Sequence, residues 1–66
     1  MRDLGDILIY DSQFLFHLKH RVPVQVYEGE LHVEVGQIAR FNDHFVEIGQ
    51  TLFNRKRFTF VSRPGY

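Results

Sequence analysis

The chain has 66 residues, with eight Lys and Arg balanced by eight Asp and Glu and no cysteine. That length holds one small domain and excludes a two-domain enzyme, while the neutral charge and missing thiols argue against non-specific nucleic-acid coating, a disulfide staple or a thiolate metal site. A domain of this size buries only about 60% of its unfolded surface, so a well-packed small barrel, or burial against further copies of itself, is the expected support.

In chain order, Asp3 and Asp6 precede the short apolar run from Ile7 to Tyr10, well under the roughly 7 to 15 residues of a secretion signal. No stretch reaches the roughly 18 apolar residues of a membrane span, so cytoplasmic residence without a membrane partner is expected. Asp11 or Ser12 can cap a helix over about residues 12–20, with Phe14, Leu15 and Leu18 on one stripe and Phe16 off it. Pro23 ends that helix, because the residue before a proline is pushed to extended geometry.

From there the apolar period changes to two. Val22, Val24 and Val26 predict a first strand running to Glu28, and Leu31, Val33 and Val35 a second after the Glu28-Gly29-Glu30 turn. Gly36 marks a bulge or bend, with pairing resumed through Ile38 to Phe41. Asn42-Asp43-His44 is a turn before a short strand at Phe45, Val46 and Ile48. Thr51 to Asn54 and Phe58 to Val61 are two last strands around Arg55-Lys56-Arg57, and Pro64-Gly65 turns the chain into a short tail over 62–66. The pattern predicts a single mainly β domain over 1–66. An N-terminal helix precedes five short, bent antiparallel strands, which form a small barrel over about 22–61.

The run Phe14-Leu15-x-x-Leu18-Lys19-His20-Arg21-Val22-Pro23-Val24-x-Val26-Tyr27, followed by Gly29 and by Gly36-Gln37-Ile38-x-x-Phe41-Asn42, resembles bacterial Hfq, the Sm-like RNA chaperones, over roughly residues 11 to 48. The Arg-Val-Pro-Val-x-Val-Tyr piece is its most specific part. The resemblance implies an Sm-like, SH3-like barrel and a homo-oligomeric ring, commonly a hexamer, formed by pairing edge strands of neighbouring barrels. It further implies RNA binding at a basic rim, where Lys19, His20 and Arg21 stand. The pore-facing turn that contacts uridine corresponds to Asp43 and His44, and the purine-reading face to the neighbourhood of Tyr27 and Gly29. The family's Tyr-Lys-His signature is absent, and Phe53-Asn54-Arg55-Lys56-Arg57 stands in its region. A looser likeness, carried by the Asn42-Asp43-His44 turn, is to small Sm-like or SH3-like proteins of spore-forming Firmicutes, some of them associated with the spore coat.

Candidate RNA contacts are therefore Lys19, His20, Arg21, Arg40, Phe41, Asn42, His44, Arg55, Lys56, Arg57 and Tyr27: cations for phosphates and aromatic faces for stacked bases. Each has a plainer reading, as a solvated helix end whose cations complement the C-terminal dipole, or as a charged edge that discourages aggregation. His17, His20, His32 and His44 lack zinc-like spacing, and Asp43-His44 lacks a nucleophile, so neither a metal, a cofactor, a small-molecule substrate nor enzyme activity is expected. Two functions remain. One is an Hfq-like ring that binds single-stranded RNA; the other is a structural or protein-interaction module, of sporulation type, that uses the same barrel without RNA.

Overall fold

A computed structural model describes residues 5–66; Asp3, expected to precede the apolar run, lies outside the described residues. Helix α1 (Asp11–Lys19) is followed by six strands, β1 (Val24–Glu28), β2 (Leu31–Gly36), β3 (Ile38–Phe41), β4 (Phe45–Ile48), β5 (Thr51–Asn54) and β6 (Thr59–Ser62). Among the described residues no helix is long and apolar enough to cross a membrane.

The helix begins one residue earlier than expected. Tyr10 is the N-cap, and neither Asp11 nor Ser12 caps: the Gln13 side-chain carbonyl reaches back to accept the backbone N–H of Ile9 and of Tyr10, at 2.7 and 2.8 Å. Asp11 falls in the first turn, where a carboxylate complements the helix dipole. The stripe also corrects by a rotation. Positions 14, 17 and 18, at i, i+3 and i+4, face inward, so His17 is buried while Leu15 is exposed. A histidine tolerates that place because both ring nitrogens are bonded. Its Nδ1–H donates to the Gln13 carbonyl and its Nε2 is hydrogen-bonded with the Ser62 hydroxyl, each at 2.7 Å.

At the other end, Val22 N–H donates to the His17 carbonyl (3.0 Å) and Arg21 N–H to that of Leu18 (3.4 Å), with Arg21 at φ 55. This is a Schellman exit with arginine in the left-handed place usually given to glycine. It occupies Arg21 to Pro23, so β1 starts at Val24 and not at Val22.

All strand pairs are antiparallel, in two three-stranded sheets of order β2-β1-β6 and β3-β4-β5. The expected second strand is split at Gln37 into β2 and β3, which raises the count from five to six. The cause is Gly36: a Cβ there would stand 3.3 Å from Ile48 Cγ2, so the bend brings backbone directly against β4. The sheets do not join into a closed barrel, because β5 and β6 do not pair. They face each other over Val24, Val26 and Phe60 on one side and Ile38, Val46, Ile48 and Phe53 on the other. Phe14 from α1 fills one end, its ring 5.5 Å from Phe60 in a T-shaped contact and 5.7 Å from Phe41.

The β4–β5 hairpin turns on Gly49 and Gln50 at φ 61 and 69, the double positive φ of a type I′ turn. The chain entering α1 adds to the first sheet. Leu8 N–H donates to the Phe60 carbonyl (2.8 Å), Ser62 N–H to that of Asp6 (2.8 Å) and Gly5 N–H to that of Ser62 (3.1 Å), with Ile7 opposite Val61. Because Ser62 ends β6, the tail begins at Arg63 and not at 62.

Candidate nucleic-acid interface

Two basic triplets meet opposite fates. At the helix exit Lys19, His20 and Arg21 are all exposed, and none takes part in an ion pair among the described residues. His20 lies against the exposed Phe16 ring at 4.3 Å between centroids, so an aromatic face stands beside these cations.

In the second triplet Arg55 is drawn inside. The Asn54 carbonyl accepts the N–H of Arg57 and of Phe58, and the Asn54 side chain that of Lys56 (2.8 Å). This tight turn sends Arg55 inward and Lys56 and Arg57 outward. The Arg55 side chain is 13% exposed, with Nη1 at 2.8 Å from Asp11 Oδ1. It also donates to the Asn42 carbonyl at 2.6 Å and to the Ile9 carbonyl at 3.2 Å. Its guanidinium sits 4.4 Å from the centroid of the Phe14 ring. One side chain thereby ties the start of α1, the β3–β4 turn and the end of β5 to the core.

Lys56 is exposed and, with Phe14, Asp43 and Arg55, lines a cavity of about 370 Å³. Arg57 pairs with Glu28 at 3.1 Å and Arg40 with Glu47 across β3 and β4. Both pairs are at the surface, where such bridges are worth about 0.2 to 1 kcal/mol and yield readily to a competing anion.

The β3–β4 turn is built by Asn42, whose side-chain oxygen accepts the N–H of His44 and of Phe45, both at 2.8 Å. Arg40, Phe41 and Asn42 meet there with Phe45 and Leu52 around a groove of about 260 Å³. The His44 side chain is exposed, and its carbonyl accepts Arg55 N–H. Tyr27 is half-buried, 5.6 Å from the His32 ring and next in sequence to the Glu28 that holds Arg57.

The expected contacts thus fall into two regions: Lys19, His20 and Arg21 at the helix exit, and Arg40 to Asn42 in the groove joined to Arg55 and Lys56 at the cavity by the Arg55–Asn42 bond. Sequence reasoning missed the His17–Ser62 bond, for which the i+3 spacing from Phe14 was the available signal. It also missed Asp11 as the partner of Arg55, which no local pattern marks. No family model, curated protein or solved structure matches the chain.

Proposed function

We propose that the chain is an Sm-like, Hfq-like protein that binds single-stranded RNA as a homo-oligomeric ring, of the RNA chaperone or riboregulator type. The observation that carries this is the helix exit: three exposed basic residues, Lys19, His20 and Arg21, without an ion pair among the described residues and directly before the Val22-Pro23-Val24 strand entry that bears the resemblance. Phosphates are met by these side chains and by Lys56, with Arg40 and Arg57 exchanging a carboxylate for a phosphate. Arg55 serves by holding the turn that presents Lys56. Repetition around a ring multiplies a modest local charge in a chain that is neutral as a whole.

The test is solution mass by light scattering, with and without short oligo-A or oligo-U. Neutralising about three phosphates of a single strand weakens binding roughly twentyfold between 50 and 200 mM salt. An assembly that takes up RNA with that salt dependence supports the proposal; one that ignores RNA at low salt removes it.

A second function is favoured by a specific surface. Phe45 and Leu52 are exposed together in the groove beside the Arg40–Glu47 pair, an apolar patch with a neutralised cation, which suits a protein partner. In that case the chain is a non-enzymatic interaction module with no RNA, and the same light-scattering experiment separates the two.

A further inference from the structure

Of the four edge strands of the two sheets, β5 and β6 are in different states. Arg55 N–H bonds the His44 carbonyl, so in the alternating antiparallel ladder Thr51 and Phe53 also turn their main-chain groups toward β4, and Leu52 and Asn54 turn theirs outward. The Asn54 carbonyl is taken by the following turn. Edge β5 therefore offers a donor, an acceptor and a donor: Leu52 N–H, Leu52 C=O and Asn54 N–H. Among the described residues nothing bonds them.

Edge β6 carries the complement. Its outward groups are the N–H and C=O of Phe60 and of Ser62, and residues 5–8 of the same chain fill the last three of these four, an acceptor, a donor and an acceptor. That segment uses the donor, acceptor and donor set that β5 offers. A second copy's β5 fits β6 in antiparallel register with Leu52 opposite Ser62 and Asn54 opposite Phe60, and makes the same three bonds. Both occupants cannot be present at once.

We propose that residues 5–8 are an intramolecular placeholder on the β6 edge, and that β5 of a second copy must displace them for the chain to assemble head to tail. This rests on the ring assembly proposed above and adds what controls it. The placeholder is suited to leaving: Gly5, Asp6 and Ile7 are all exposed, and only Leu8 reaches the core.

The test uses the absence of native cysteine. Ile7 and Val61 form the pair between two ladder bonds, the close non-bonded type with Cα atoms about 4.5 Å apart, within reach of a disulfide. The full-length double variant Ile7→Cys/Val61→Cys is measured oxidised and reduced, by light scattering and non-reducing gel. The expected result is a monomer of 7.9 kDa when oxidised and a multiple of that mass when reduced. An assembly of equal size in both states overturns the placeholder while leaving the ring intact. Oxidised chains linked between copies also overturn it, since the segment then pairs with a neighbour. A monomer in both states, and in the wild type, overturns the ring itself and the placeholder with it.

Discussion

The triplets Lys19-His20-Arg21 and Arg55-Lys56-Arg57 have the same chemistry in sequence and differ in what surrounds them. The first follows a helix exit that leaves every side chain in solvent, while the second is wrapped by an Asn54 turn that buries its first member on Phe14. A basic cluster is available to phosphates only where the backbone gives it no carbonyls to serve. Arg55 has two carbonyls, a carboxylate and an aromatic ring, and so acts as a fastener of the fold.

The largest effect should come from the seat of that fastener. Phe14→Ala removes the ring shared by Phe60, Phe41 and Arg55, at a cost of about 3 to 5 kcal/mol. In a domain this small the circular dichroism melt should lose its cooperative transition. Arg55→Ala should cost about 2 to 3 kcal/mol in urea unfolding, because the Asn42 and Ile9 carbonyls lose a charged donor and the guanidinium stem leaves the core. Arg55→Lys should recover little, since an ammonium cannot span both carbonyls and lie flat on the ring. Lys56→Ala, one residue away, should leave the midpoint unchanged, and an equal loss at both positions would break the comparison.

Much of the fold was legible beforehand, and the gaps have physical causes. The bounds Leu31–Gly36, Ile38–Phe41 and Thr51–Asn54 follow from the short apolar runs and the breakers between them, and Gly36 announced the bend. That the bend divides one strand between two sheets was hidden, because the contact with Ile48 is long-range. The partner of His17 was hidden because Ser62 lies 45 residues away. The inward turn of Arg55 depends on Asn42, Asp11 and Ile9, which no window around the triplet contains. Local spacing reports which residues are charged, and tertiary partners decide which charges stay free.

Smaller effects sharpen the same contrast. Ser62→Ala should cost about 1 to 2 kcal/mol, because it strips the buried His17 ring of one of its two bonds. Thermal unfolding beside a Thr59→Ala control checks this. Arg21→Gly should raise stability by up to about 1 kcal/mol, as glycine relieves the φ of 55 at the helix exit. The same change should weaken RNA binding, so stability and affinity move in opposite directions at one residue. A loss of both would place Arg21 with Arg55 as a structural cation.

The most direct measurement is the affinity of the wild type and of Lys19→Ala/Arg21→Ala for labelled oligo-A and oligo-U over a salt series, with melting curves of both proteins. The account predicts an unchanged midpoint, an affinity at least about tenfold lower and a salt slope shallower by about 1.4, the contribution of two cations on a single strand. A double variant that folds and binds as the wild type does, with the same slope, would contradict it.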